Sequence, residues 1–328
     1  MASPLPKVVP PRPAHGHRRA GDDYGVSDQP DWRTIDWVAH QHRIQVAGTD
    51  VNYVDIGEGD EHPIVFIHGL GGQWQNWLEN IPRFAQDRRV IVPDLPGFGL
   101  SPMPGEDISI EYYGRVVADL CDALGLGPAV VVGNSMGGYI ASQVAIERPD
   151  LVERLMLVSA AGVSQMEVAK GPVMAVTKAI GLFTAMTVAQ LPAVARRPRT
   201  RHWALLLVAR YPGKLASDFA FEGLMKGTGK PGFVDAMQAC LEYDLRDRLP
   251  SIGCPTLVVW GEKDMTIPVE DADKFTELIT GSRKLIMEDT GHVSMAERPV
   301  TFNGHLQDFL AYEVAEGELE RPAPGGAA

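Results

Sequence analysis

The sequence predicts an α/β fold: a mostly parallel β-sheet flanked by helices, with a helical segment inserted late in the chain. Three observations carry that expectation. Short apolar runs over 63–67, 89–92, 129–132, 155–158, 255–260 and 284–287 read as buried strands, most of them followed by a loop and a helix-period pattern. The stretch Gly133-Asn134-Ser135-Met136-Gly137-Gly138 joins one such strand to one such helix through a sharp turn. From 162 to 240 the alternation stops. The text there is helical, broken at Pro192, Pro198, Pro212 and Pro231, and strand rhythm resumes at Pro255.

The elements follow in order. Residues 1–30 read as a disordered, weakly basic arm, with Pro4, Pro6, Pro10, Pro11 and Pro13 ahead of His15, His17, Arg18 and Arg19 and no apolar core of a signal peptide. Residues 31–161 and 241–315 make one core, 162–240 a helical cap, and 316–328 a flexible tail. Strands over 43–46 and 51–56, turned at Gly48-Thr49-Asp50, form an antiparallel hairpin at a sheet edge. The strand over 63–67 runs straight into His68-Gly69-Leu70-Gly71-Gly72, and one helix is expected over 74–84. After 89–92 comes Asp94, read as ordering its own loop. A helix over 110–124 puts Tyr113, Val116, Val117, Leu120 and Leu124 on one face. Helices over 139–147 and 269–279 and a last helix carrying His305 complete the set.

Composition narrows the function classes. A hydrophobic share of 45% in 328 residues allows a large core. A net charge of -12 argues against general nucleic-acid binding. Cys121, Cys240 and Cys254 are odd in number and widely spaced, which gives neither a disulfide framework nor a metal-ligand pattern and points to a reducing cytoplasm. No window reaches the roughly 18 uninterrupted apolar residues of a membrane span.

Three residues in chain order suggest nucleophilic catalysis. Ser135 sits on the tight turn, where side chains two before and two after it would collide, and Gly133 and Gly137 remove them. Asp264 follows the strand over 255–260, and His292 follows the one over 284–287. All three therefore fall on one edge of the sheet. Asp244, Asp247 and Asp271 are rivals for the acid, but none closes a strand; His305 is a rival for the base inside a helix. The backbone N–H groups of Leu70 and Met136 are the candidate oxyanion hole, with His68 ordering the loop. Trp74, Trp77 and Trp260 read as core.

On these motifs the chain resembles the α/β-hydrolase fold superfamily over about 42–313, through His68-Gly69, the Ser135 elbow, Cys254 to Gly261 before the acid, and Gly291-His292. The resemblance implies a Ser135–His292–Asp264 triad and an acyl-enzyme, with no cofactor and no metal. Asn134-Ser135-Met136-Gly137-Gly138 is also similar to the elbow of carbon–carbon bond hydrolases acting on meta-cleavage products, which usually carry a tryptophan after the histidine; Val293 stands there in this sequence. A serine at 135 argues against the aspartate-nucleophile branches. The expected activity is hydrolysis of carboxylic esters of lipophilic substrates. The alternatives are carbon–carbon hydrolysis and a non-catalytic ligand-binding protein on the same fold. From Gly171 to Ala195 the only charge is Lys178, followed by Arg196, Arg197, Arg199 and Arg201. This reads as pocket lining or cap packing in preference to transient contact with a membrane surface.

Overall fold

The computed structural model describes residues 23–164, 169–227 and 229–312. Among them eight strands form one sheet in the order β1-β2-β4-β3-β5-β6-β7-β8. These are β1 (Gln41–Val46), β2 (Thr49–Ile56), β3 (Ile64–Ile67), β4 (Val90–Pro93), β5 (Ala129–Asn134), β6 (Val152–Val158), β7 (Thr256–Gly261) and β8 (Arg283–Met287). The hairpin β1–β2 is antiparallel and at the edge; β3 to β8 run parallel. Strands in the middle of a parallel sheet are buried on both faces, which is why β3, β4, β5 and β7 are buried along their whole lengths. Alternate residues feed two cores. Val65, Ile67, Val131, Leu155, Leu157, Val258 and Trp260 face one; Ile64, Phe66, Val130, Val132, Met156, Val158 and Val259 face the other.

Order matters more than content for the site. The chain leaves β3 for β4 on one side, then crosses back so that β5 lies on the other side of β3. The loops after β3 and β5 therefore diverge at the reversal point, where open α/β sheets leave a crevice. The register pairs Ile67 with Gly133, so His68 and Asn134 leave the sheet side by side.

The helices are α1 (Ile81–Phe84), α2 (Ile110–Leu124), α3 (Met136–Glu147), α4 (Lys170–Thr187), α5 (Leu191–Arg196), α6 (Pro198–Leu205), α7 (Ser217–Phe219), α8 (Phe233–Glu242), α9 (Asp271–Leu278), α10 (Ser294–Glu297) and α11 (Pro299–Ala311). The single helix expected over 74–84 is instead a 3-10 turn, Trp74–Trp77, followed by α1. Pro82 lies at the start of α1, where its missing N–H costs least, so it begins a new helix. Proline acts alike in the insertion: Pro192 and Pro198 open α5 and α6, and Pro212 opens the 3-10 turn Pro212–Lys214.

Residues 1–22 and 313–328, hence most of the expected arm and all of the expected tail, lie outside the described residues. Residues 23–30, expected in the arm, are tied to the core instead. Tyr24 and Trp32 are buried, and the Gly25 N–H donates to the Glu297 carbonyl at 2.7 Å. Trp32 falls inside the expected core; Tyr24 was hidden by the polar residues around it.

Candidate active site

Ser135 stands between β5 and α3 with φ 57° and ψ −119°, a strained backbone for any residue with a Cβ. Such strain costs on the order of 1–3 kcal/mol. Val130, Val131 and Val132, each buried, contribute roughly 1.5–3 kcal/mol apiece, so the strand outweighs the strain. The flanking glycines are obligatory. A Cβ on Gly133 would lie 2.1 Å from the Gly137 carbonyl oxygen, and one on Gly137 would lie 2.2 Å from that of Ile67. The Ser135 carbonyl accepts from the N–H groups of Gly138, Tyr139 and Ala161, and its N–H donates to Val158. Of residues 130–140, Ser135 alone is not fully buried.

The candidate base and acid meet. His292 Nδ1 donates to Asp264 Oδ2 at 2.7 Å, with the His292 side chain 5% exposed and that of Asp264 fully buried. A carboxylate oxygen only accepts, so Nδ1 carries the hydrogen and Nε2 presents its lone pair. The other oxygen, Oδ1, accepts from the N–H groups of Thr266 and Ile267 at 2.8 and 3.0 Å, which locks the carboxylate. Asn134, next to the serine, donates from its side chain to the His292 carbonyl at 3.3 Å. The elbow and the base's backbone are thus in contact. Among the described residues Ser135 Oγ makes no hydrogen bond, so the serine–imidazole link is open in this conformation. Asp244 pairs with Arg246, and Asp271 accepts the Ser164 hydroxyl; neither reaches His292.

The loop after β3 lies against the elbow. A Cβ on Gly69 would be 3.1 Å from that of Ser135. Met136 begins α3, and its N–H, like that of Leu70, donates to no acceptor among the described residues; both are free to bind an anion. His68 is buried and ties this loop to the one after β4. Its Nε2 accepts the Leu95 N–H at 3.0 Å, so its Nδ1 carries the hydrogen and donates to the Gly69 carbonyl at 2.8 Å. Burial pushes its pKa down to about 4. Asp94 accepts from Asn52, Trp74 and Leu100 and orders its loop; burial pushes its carboxyl up to about 6.

A family model described as the α/β-hydrolase fold matches residues 62–299. The chain belongs to the α/β-hydrolase fold family. The 2-hydroxy-6-oxo-2,4-heptadienoate hydrolase of Pseudomonas putida is 31% identical over 289 residues, 82% of this chain and 96% of that one. The enol-lactonase from Burkholderia xenovorans LB400 superposes with a TM-score of 0.68 at 25% identity, over 83% of this chain and 100% of that one. An N-acyl homoserine lactone degrading enzyme superposes with a TM-score of 0.64 at 29% identity, over 82% of this chain and 100% of that one.

In this α/β-hydrolase, sequence reasoning missed the stretch 207–211 of the insertion, which docks onto the loops of both Asp264 and His292. The Leu207 carbonyl accepts from the Thr266 hydroxyl at 2.8 Å, and the Val208 carbonyl accepts from the His292 and Val293 N–H groups at 3.1 Å each. Tyr211 and Arg210 donate to Asp289. Nothing in the local pattern of Leu207-Val208-Ala209-Arg210-Tyr211 marks it, because its backbone makes most of the contacts. Arg201, the last of the four arginines that follow the apolar stretch, is buried. Its guanidinium donates to the carbonyls of Ala195, Pro212 and Gly213, because a fork of donors can cap several helix ends at once. A cavity of ≈240 Å³ between α4 and α8, lined by Lys170, Met174, Lys178 and Leu241 among others, holds none of the candidate site residues. Among the described residues no helix is long and apolar enough to cross a membrane, and no cluster of side chains could hold a metal ion.

Proposed function

We propose that this protein is a serine hydrolase that cleaves carboxylic esters, lactones included, of lipophilic substrates through an acyl-enzyme. The observation that carries the reading is the 2.7 Å His292–Asp264 pair beside a strained Ser135. Ser135 Oγ attacks the ester carbonyl carbon while His292 Nε2 takes its proton. Asp264 holds the tautomer that leaves Nε2 free and stabilises the imidazolium. The oxyanion of the tetrahedral intermediate accepts from the Leu70 and Met136 N–H groups. As the C–O bond breaks, His292 returns the proton to the leaving alcohol; water then repeats the sequence on the acyl group. The open serine–imidazole link closes when substrate orders the site, as catalytic hydrogen bonds often do. Phe233, whose ring lies against Gly71 beside the oxyanion loop, suits an apolar acyl group.

The second reading is carbon–carbon hydrolysis, favoured by the 31% identity to the heptadienoate hydrolase. It calls for a cap cation to receive the substrate's carboxylate. Arg201 is committed to three carbonyls and Arg210 to Asp289 and the Tyr211 ring, so neither is that cation. The test is covalent labelling by a fluorophosphonate, run with an acyl chain-length series of p-nitrophenyl esters and a meta-cleavage dienoate. Labelling lost in Ser135→Ala and turnover that rises beyond acetate support the proposal. Turnover of the dienoate alone would transfer the case to the second reading.

A further inference from the structure

One carboxylate oxygen joins three distant parts of the chain. Glu297, at the end of α10 and fully buried, accepts at Oε2 from the Gly291 N–H at 3.0 Å, the Arg210 N–H at 2.8 Å and the Tyr24 hydroxyl at 2.6 Å. The Tyr24 hydroxyl in turn accepts the Tyr211 N–H at 2.7 Å. Gly291 immediately precedes His292. Arg210 and Tyr211 belong to the insertion, two and three residues past the carbonyl that holds the His292 N–H. Around this node Asp23 pairs with Arg298 and bonds Thr301, Trp32 and Ser27 donate to Glu79, and Arg33 pairs with Asp218 of the insertion.

We propose that Tyr24 and Glu297 are positioning residues for His292, with the segment from Asp23 to Arg33 acting as a strap that holds the insertion and the base's loop in one register. The inference rests on the proposed role of Ser135 and His292. The direction of Nε2 depends on where the backbone at 291–293 sits; Asn134 holds the His292 carbonyl, and the three N–H groups are held by two acceptors. One is Val208 of the insertion; the other is Glu297, oriented by Tyr24. Removing the Tyr24 hydroxyl takes a donor from Oε2 and the acceptor from Tyr211 in one step, so both anchors loosen together. Misplacement of a catalytic group by about 1 Å can cost on the order of 10²-fold in the chemical step.

The experiment compares full-length wild type, Tyr24→Phe, Glu297→Gln, Glu297→Leu and Ser135→Ala by fluorophosphonate labelling rate, kcat and KM on p-nitrophenyl butyrate, and Tm. All rates are taken well below each variant's own Tm. Tyr24→Phe is expected to slow labelling and kcat about tenfold with KM within about twofold. Glu297→Gln, which keeps an acceptor oxygen, is expected to retain at least about tenfold more activity than Glu297→Leu. Equal labelling rates for wild type and Tyr24→Phe, whatever the change in Tm, would reduce the strap to a purely structural clamp and overturn the proposal. Should Glu297→Leu not fold, Tyr24→Phe and Glu297→Gln still decide. If wild type takes no label, or Ser135→Ala takes it equally, the nucleophile reading itself fails, and the positioning role goes with it by a different signature.

Discussion

Ser135 and His292 lie on the same edge of the sheet but are held there by opposite means. The elbow is held by backbone in its own neighbourhood: the register of β3 on β5, two glycines without room for a Cβ, and the first turn of α3. The histidine's loop is held by groups from the insertion at 207–211, the segment from 23 to 33, and the buried Glu297. One placement is local and written in a short motif. The other is assembled from segments far apart in sequence and can be lost without touching the motif.

Four further experiments break or sharpen that contrast, from the largest effect down. Ser135→Ala should lower ester turnover by a factor on the order of 10⁶ with the fold intact; ester turnover near wild type would remove the elbow from the chemistry. Asp264→Asn should cost about 10⁴ in kcat. The amide can still accept from Thr266 and Ile267, but its NH₂ faces Nδ1 and leaves the imidazole in the wrong tautomer. A circular dichroism melt close to wild type, with kcat down, separates this from unfolding.

Gly137→Ala tests the local half. The new Cβ meets the carbonyl oxygens of Ile67 and His68 at 2.2 and 2.7 Å, both backbone, so β3 and α3 must part. A loss of about 3 kcal/mol or more in urea unfolding is expected, with activity down at least about 100-fold. Gly304→Ala, whose Cβ meets nothing within 4 Å, is the matched control and should gain up to about 1 kcal/mol.

The smallest effect concerns pH. His68 has its pKa lowered by burial to about 4, below the ordinary 6.5, so between those values the unfolded chain binds the proton and the folded one does not. Its contribution to stability is undiminished above pH 6.5 and falls by about 3 kcal/mol on acidification to pH 4. Asp94 acts in the reverse sense, because its raised pKa of about 6 favours the folded state as pH falls through that window. The advantage of wild type over His68→Gln should therefore shrink from pH 7 to pH 4 in urea titrations. A constant difference would mean that His68 is not buried neutral.

Much of the fold was legible because its signals are short-range. Apolar runs marked the parallel strands, and the glycine spacing marked the turn that carries Ser135. The candidate acid and base were found by their position after a strand, and they do meet at 2.7 Å. Two features needed the structure. The single helix expected over 74–84 is divided, because Pro82 starts a new one. Arg201, in a run with Arg196, Arg197 and Arg199, is buried because three carbonyls brought together by α5, α6 and the Pro212 turn made burial favourable.

The amino-acid sequence alone determined the sheet, the elbow and the identities of the three candidate catalytic side chains, since each depends on periodicity or on steric limits within a few residues. Only the tertiary structure decided what holds the histidine. Tyr24, Val208, Arg210 and Glu297 carry no shared motif, and their hydrogen bonds exist because folding brings their backbones and one carboxylate to a single point. A hydrogen bond between segments far apart in sequence leaves no period in it, and for that reason the support of the His292 loop had to be seen and could not be read.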